Sequence, residues 1–320
     1  MLKVIIRRLM SSVPLLLAVS IVSFWILKSA PGDPVAMYLS QPFERAPQEV
    51  IDAMRARLGL NRPLHVQYLT WLKETIRGNL GTSMRNFEPV KEIIARTLPQ
   101  TILLMGTSFV ISLALGILLG VYSALRPYGL GDQFLGFVAS LGYAVPNFWL
   151  GLMLIYLFSM NLGWLPSGGM MSMRDMGDPL VDRLRHLILP LTTIVFRDIV
   201  VWMRYQRDSL LSVLGEDYIR TARAKGLAVR VVVTKHALRN SLIPVISLVG
   251  MSMPRLLTGS YVIENIFSWP GMGRVGLDAI NNRDYPLILG ILMLSSVLVV
   301  MGNLLADLSY ALIDPRIKYS

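Results

Sequence analysis

The chain has 320 residues, of which 53% are hydrophobic and only 16% are charged, and it carries a formal net charge of +11. Soluble domains average about 25% charged residues, so this composition indicates a membrane protein. We interpret the positive charge as the excess of Lys and Arg on the cytoplasmic side rather than as a nucleic-acid surface, because no basic and aromatic pattern of that kind is present. The absence of cysteine and the three scattered histidines argue against disulfides, thiol catalysis and a metal site.

The N-terminal segment predicts a first span at about 9–28. Three basic residues within Met1–Arg8 precede a run of uncharged residues that is longer than the core of a cleaved signal peptide. The following polar segment, 29–96, contains two amphipathic patterns, Glu49–Leu58 and Val66–Ile76, and a turn at Gly78–Gly81. We expect this segment to form a small cap on the outer face of the membrane.

The remaining apolar runs predict five more spans, at about 98–125, 134–160, 187–205, 241–263 and 286–313. Small residues in the second span offer faces for close helix packing; they are Gly106, Ala114, Gly116 and Gly120. Gly142 and Pro146 interrupt the third span. The expected fold is therefore an all-α integral membrane protein, a single transmembrane domain covering residues 1–320.

Six spans place both termini on one side of the membrane, and the distribution of charge predicts which side. Segments 1–8, 126–133, 204–240 and 313–320 hold 14 Lys and Arg among 61 residues, whereas segments 161–186 and 263–286 hold 5 among 50. The positive-inside rule therefore places both termini and the loop 209–240 in the cytoplasm.

The loop 209–240 contains a predicted short basic helix. Six Lys and Arg within Gly215–Asn240 face only two acidic residues, Glu216 and Asp217. Strong helix formers fill Glu216–Lys225, and Gly226 is a natural helix stop. Acidic residues at the start and basic residues towards the end complement the helix dipole, so the helix can hold its shape while it binds a partner. Charge alone also fits a loop lying on anionic lipid headgroups.

Three charged residues fall inside predicted spans: Arg197 and Asp198 in the fourth and Arg255 in the fifth. Ionisable side chains within a span are costly and indicate function. We expect them either to line a translocation path and help select the solute, or to form a structural ion pair between spans. Arg197 and Asp198 point about 100° apart on a helix and need not pair with each other.

The segment Gly271–Gly276 matches the pattern G-x-G-x-x-G, but it does not lie between a strand and a helix, so nucleotide binding is not expected there. We instead predict a glycine-permitted re-entrant turn formed by Trp269, Pro270, Gly271 and Gly273, with Trp269 and Pro270 at the membrane surface. The sequence contains no Walker A motif and no recognisable catalytic set. We therefore expect no enzyme activity and no cofactor in this chain.

The basic stretch resembles the permease subunits of binding-protein-dependent ABC importers, in particular the dipeptide, oligopeptide and nickel branch. The similarity rests on EDYIRTARAKG at 216–226, HALRN at 236–240 and Pro244, and on four further motifs in the same order: PGDP at 31–34, SWPGMGR at 268–274, RDYP at 283–286 and DPR at 314–316. The general family motif is E-A-A, three residues, then Gly. The aligned residues are Arg220, Thr221 and Ala222, so the signature glutamate is absent, as it is in the peptide branch.

The resemblance implies one half of a transmembrane pore in a bacterial inner membrane, working by alternating access. Its partners would be a homologous second permease, two cytoplasmic ATPase subunits that hold ATP and Mg, and an extracytoplasmic solute-binding protein. A coupling helix that docks on an ATPase subunit would be formed by Glu216, Asp217, Tyr218, Arg220, Thr221, Ala222, Arg223, Lys225 and Gly226. In it, small Ala222 permits close approach and Gly226 permits a sharp turn.

The resemblance does not predict which solute is carried. Short peptides are the first expectation, and nickel, glutathione and sugar oligomers stay open. Two other classes of protein also fit six spans: an ion-coupled secondary transporter with Asp198 and Asp307 as ion sites, and a membrane protein with no transport activity.

Overall fold

A computed structural model describes residues 2–29, 35, 47–57, 59–172 and 178–313 of the chain, with side chains described except at 2–9, 253, 254, 257, 258 and 305–313. Throughout these ranges the regular structure is helical, and the only β-type pairing is an isolated bridge between Thr82 and Pro89. This confirms the all-α prediction. The motifs at 31–34 and 314–316 and the side chain of Asp307 lie outside the described parts.

Four helices of the described part are long and apolar enough to cross a membrane: α1 Leu2–Ser29, α4 Val90–Leu125, α7 Pro179–Leu214 and α13 Tyr285–Ile313. Helices α4 and α7 each contain 36 residues, a length of about 54 Å against a hydrocarbon core of about 30 Å. They therefore extend beyond the predicted spans 98–125 and 187–205. The hydropathy of the sequence detects only the apolar run of each helix, so the predicted spans do not include the polar turns at the helix ends.

The third predicted span is divided into two helices. Helix α5 Leu130–Ala144 is followed by α6 Asn147–Leu154, which continues as the π-helix Ile155–Asn161, and the two parts are bent by 101°. Val145 and Pro146 are extended between them, because proline fixes its own φ and disfavours the helical conformation of the residue before it. Counting the bent pair as one span gives five.

Two short helices form where the amphipathic patterns predict them. They are α2 Gln48–Arg57 and α3 Leu64–Ile76. Helix α3 packs against α1 through Tyr68 and Trp71, whose ring centroids lie 5.6 Å and 5.5 Å from that of Phe24. The predicted turn follows, with Gly78 and Gly81 both at positive φ.

The second half of the chain contains several short helices between the long ones. After α7 come α8 Asp217–Ala224, α9 Val229–Val231, the π-helix Val232–Ala237 and α10 Leu238–Thr258, followed by α11 Tyr261–Ile266 and α12 Met272–Asn281. Helix α10 packs against α4, α7 and α13. It ends before residue 263, the predicted limit of the fifth span, because Gly259 adopts a φ of 75° that ends the helix.

Helices α4 and α7 pack with almost no space between their backbones. A Cβ atom added to Gly120 would lie 2.7 Å from the Met203 carbonyl oxygen, and one added to Gly116 would overlap the Cβ of Trp202. Small residues allow helices in a membrane to approach in this way. The predicted small face is thus confirmed at Gly116 and Gly120, whereas a Cβ on Gly106 meets no atom within 4 Å.

This contact predicts different effects for one substitution at two glycines of α4. Gly116→Val should separate α4 from α7 and lower the free energy of unfolding by about 1–3 kcal/mol, the usual cost of overpacking, or prevent assembly. Gly106→Val, with open space around it, serves as the matched control. Thermal unfolding of the purified protein in detergent measures both, and equal melting temperatures for the two variants would contradict the packing described.

Candidate functional site

The predicted basic helix is present as α8. Helix α7 ends at Leu214, and the extended backbone of Glu216 starts α8 at Asp217. Lys225 ends it, and Gly226 follows with a φ of +76°. No atom lies within 4 Å of a Cβ added at Gly226, so glycine is required there by the backbone conformation and not by space.

One face of α8 is anchored in the protein's own core. Ile219 is 0% exposed and Ala222, three residues on, is 6% exposed. They belong to an apolar cluster that also contains Ala124 at the end of α4, Leu210 near the end of α7, and two residues of the π-helix, Val232 and Ala237. The close approach that Ala222 permits is therefore an approach to its own chain. Helix α8 is fixed to the ends of both long helices.

The opposite face of α8 points away from this core. The remaining predicted coupling residues are all exposed: Glu216, Asp217, Tyr218, Arg220, Thr221, Arg223, Lys225 and Gly226. Arg220 pairs with Asp217 at 3.4 Å, but both side chains are largely exposed, so the pair adds little stability. The Tyr218 hydroxyl accepts a hydrogen bond of 2.8 Å from Asn240 Nδ2, at the start of α10. The result is a basic surface on a rigidly attached helix.

The structure brings together two of the three charged residues that fall inside predicted spans. Arg255 Nη2 of α10 lies 3.2 Å from Asp198 Oδ1 of α7. The pair lines a cavity of about 180 Å³ whose other walls include Phe109 and Trp202. Arg197 is exposed on the neighbouring face of α7 and is not in this pair.

The outer-loop prediction for Trp269 is wrong, because this side chain is 0% exposed and does not lie at the surface of the chain. It packs with Leu104, Leu187 and Phe267, and its indole N–H donates to the Gln100 carbonyl oxygen at 2.9 Å. A buried indole needs such an acceptor. Pro270 is exposed, and Gly271 and Gly273 lie against the side chain of Glu264.

Glu264 is a fully buried acid that the sequence did not single out. Its carboxylate accepts hydrogen bonds from Thr101 Oγ1 of α4 at 3.1 Å and from the Arg274 N–H at 3.0 Å. The Thr101 hydroxyl in turn accepts from the Met272 N–H at 2.7 Å. A Cβ added to Gly271 would lie 2.5 Å from Glu264 Oε2, so this glycine allows the carboxylate to reach the loop. Glu264 thereby joins α11, the start of α12 and α4.

A second polar cluster that the sequence did not reveal joins α4, α5 and α7 near α8. Arg207 of α7 donates from Nε and Nη2 to the two carboxylate oxygens of Asp132, both at 2.8 Å. The Asp132 carboxylate also accepts from the Ser123 hydroxyl and from the Tyr128 N–H. Bidentate pairs of this kind are strong and directional. Asp132 therefore fixes the turn between α4 and α5 against α7.

Comparison with known proteins connects this arrangement to a family. Residues 116–319 match the family described as the binding-protein-dependent transport system inner membrane component, and residues 1–105 match the N-terminal part of such membrane components. The chain belongs to this family. It is a multi-pass membrane component of a transport system, and no catalytic site is implied by the family. In the described ranges no three His, Asp or Glu side chains are placed to hold a metal ion.

Several relatives are similar over their whole length. The oligopeptide transport system permease protein AppB of Bacillus subtilis is 46% identical over 98% of this chain and 99% of its own. The dipeptide permease DppB of Alkalihalophilus pseudofirmus is 40% identical, and the glutathione permease GsiC of Salmonella typhimurium is 38% identical, each over 100% of both chains.

A solved structure of the MetNI methionine ABC transporter in inward-facing conformations shares the fold. Its TM-score is 0.53, with 15% identity over 70% of this chain and 97% of the matched chain. This likeness confirms the fold of an ABC importer permease.

Burial gives Glu264 a measurable signature. Desolvation raises the pKa of its carboxyl above the usual value, although hydrogen bonds from Arg274, Thr101 and Gly273 oppose the shift. A raised pKa in the folded state means that stability is fully present at low pH and is lost as the pH rises through that pKa. We expect the melting temperature in detergent to fall as the pH rises above the ordinary glutamate pKa of about 4.3, and Glu264→Gln to flatten this decline. The exposed control Glu49→Gln should keep the wild-type slope, and an unchanged slope in Glu264→Gln would contradict this assignment.

Proposed function

We propose that this protein is one of the two membrane subunits of an ATP-driven importer of short peptides. The observation that carries the proposal is similarity over the full length to permeases of oligopeptide, dipeptide and glutathione systems. Glutathione is itself a tripeptide, so the three names describe one chemical class. The other subunits would be a homologous permease, two cytoplasmic ATPases that bind ATP and Mg, and an extracytoplasmic solute-binding protein.

We place six spans in the bilayer of the bacterial inner membrane. Four long helices and the bent pair supply five. Helix α10 supplies the sixth, since its 21 residues extend about 32 Å and it packs against three of the long helices. The charge distribution puts both termini in the cytoplasm. Segment 29–96, which includes α2 and α3, then forms the cap on the outer face.

The coupling surface in this proposal is the exposed basic face of α8. Its charge suits an acidic groove, and its buried residues Ile219 and Ala222 attach it to α7. Helix α7 continues without interruption from Asp198 to its end at Leu214, and two residues separate it from the start of α8. Movement of a docked ATPase subunit would therefore be passed along α7 to the middle of the membrane.

The translocation path in this proposal runs past Asp198 and Arg255, with Arg197 as a third lining residue. The two paired groups present opposite charges to one cavity. A peptide with free termini also carries both charges, so it can interact with either group as it passes.

Reconstitution of the whole importer tests the proposed function. In proteoliposomes, ATP hydrolysis and uptake should both require the binding protein loaded with peptide. Uptake that continues without the ATPase subunits and stops when the ion gradient is dissipated would instead indicate a secondary transporter. The solute that co-purifies with the binding protein identifies which peptides are carried.

The coupling surface predicts a strong effect of a single charge reversal. Arg223→Glu should reduce peptide-stimulated ATP hydrolysis and uptake at least about tenfold, because a charge at a docking interface is replaced by its opposite. Arg126→Glu makes the same charge change at an exposed residue of the turn after α4 and should retain activity. Both complexes should assemble in the membrane. Equal activity of the two variants would refute the role of α8.

The ion pair predicts a change in selectivity. The double variant Asp198→Asn, Arg255→Gln removes both charges of the pair together, so neither partner is left unpaired and the protein should assemble. We expect its uptake of peptides with free termini to fall several-fold relative to peptides with an acetylated N-terminus and an amidated C-terminus. Competition between labelled peptides of the two kinds measures the ratio. An unchanged ratio, together with lower stability of either single variant, would make the pair purely structural.

A further inference from the structure

An open cavity of about 690 Å³, lined by both polar and apolar side chains, lies between the C-terminal half of α7, the start of α10 and the end of α5. We call it the α7–α10 cavity. Its lining includes Tyr143, Arg204, Tyr205, Asp208 and Asn240. Sites for small molecules usually measure about 300–1,000 Å³. The α7–α10 cavity falls in this range, whereas the cavity beside Asp198 and Arg255, at about 180 Å³, does not.

Two groups of opposite charge line the same face of this cavity. Arg204 and Asp208 are four residues apart on α7, so they are neighbours one turn apart, separated by about 6 Å along the helix axis. The Arg204 guanidinium lies 5.0 Å from the ring centroid of Tyr143, and this contact with the ring leaves its N–H groups able to donate. Asp208 is 72% exposed and contacts Arg207 at 3.3 Å. Arg207 is held mainly by Asp132, so the Asp208 carboxylate keeps acceptor capacity for another group.

The backbone spacing of Arg204 and Asp208 is comparable to the length of a particular kind of solute. An extended chain rises at most about 3.5 Å per residue, so the two ends of a dipeptide lie about 7 Å apart. A zwitterionic dipeptide can therefore place its carboxylate on Arg204 and its ammonium group on Asp208. An inorganic anion or an anionic headgroup would be repelled by Asp208.

A single hydrogen bond connects the wall of this cavity to the coupling surface. Asn240 lies in the cavity wall, and its Nδ2 donates to the Tyr218 hydroxyl of α8 at 2.8 Å. Both Asn240 and Tyr218 are exposed, so a solute in the cavity can compete for the Asn240 amide. Binding in the cavity and the position of α8 are thereby linked.

We propose that the α7–α10 cavity binds the transported peptide before its release into the cytoplasm, and that the hydrogen bond from Asn240 to Tyr218 reports this occupancy to α8. The proposal rests on the proposed function, since it takes the solute to be a peptide and α8 to be the coupling helix. It follows that peptide accumulating on the cytoplasmic side slows ATP hydrolysis, because an occupied cavity withdraws Asn240 from α8.

Equilibrium binding of labelled dialanine to the complete importer in nanodiscs, without the binding protein, tests the site. Arg204→Gln and Asp208→Asn should each weaken binding at least about tenfold, which is about 1.4 kcal/mol. Dialanine with an acetylated N-terminus and an amidated C-terminus should bind the wild type at least as weakly as unmodified dialanine binds these two variants. Arg126→Gln, outside the cavity, should bind dialanine as the wild type does.

A second readout tests the link to α8. Dialanine added on the ATPase side should slow ATP hydrolysis by the wild-type complex, and Tyr218→Phe and Asn240→Ala should each remove this inhibition. The measured quantity is the ratio of rates with and without dialanine in each variant, so a change in the basal rate does not enter.

The outcomes separate the two proposals. The site is overturned if the wild type imports peptides but does not bind dialanine. It is also overturned if the cavity variants bind dialanine, and the wild type binds the blocked peptide, as tightly as the wild type binds dialanine. If dialanine binds as expected but inhibition persists in Tyr218→Phe and Asn240→Ala, the link to α8 is overturned. If the complete wild-type importer shows no uptake of any peptide with its binding protein, the proposed function fails, whatever the dialanine measurements show.

Discussion

The close contact between α4 and α7 is the constraint on which the rest of the structure depends. It is possible because Gly116 and Gly120 bring the two backbones together. The clusters around the buried acid, the ion pair and α8 each include one of these two helices. Thr101 of α4 binds the buried acid, Asp198 of α7 pairs with α10, and Ala124 and Leu210 support α8. Separating the two helices would disturb the outer loop and α8 together.

One buried carboxylate at each end of this helix pair is satisfied by donors inside the protein. At one end, Glu264 accepts hydrogen bonds from α4 and from the first turn of α12. At the other, Asp132 collects donors from α4, the following turn and α7. Such groups cost free energy when left unpaired away from water. Each cluster therefore specifies one arrangement of its helices, which a purely apolar contact would define less sharply.

Local sequence patterns predicted the boundaries of α8 closely, because an acidic start, strong helix formers and a glycine stop act within one short segment. The apolar runs likewise located the long helices. Tertiary partners are beyond such patterns. Tryptophan is a residue type typical of membrane anchors, but Trp269 lies in the core, where its indole N–H donates to the Gln100 carbonyl oxygen. Asp132 and Arg207 lie 75 residues apart in the sequence and are brought together only by the fold. The local pattern at Pro146 predicts a break but not its angle of 101°.

The length of α7 has a mechanical consequence. The helix is continuous from Asp198 to Leu214, a distance of about 24 Å. If α7 pivots as a stiff lever near Asp198, a tilt of about 10° carries its far end through about 4 Å. The backbone near Asp198 would then barely move, while α8 would be displaced by a distance comparable to the spacing between neighbouring side chains. In the proposed coupling, a displacement of about 4 Å at α8 therefore accompanies a much smaller displacement beside the ion pair.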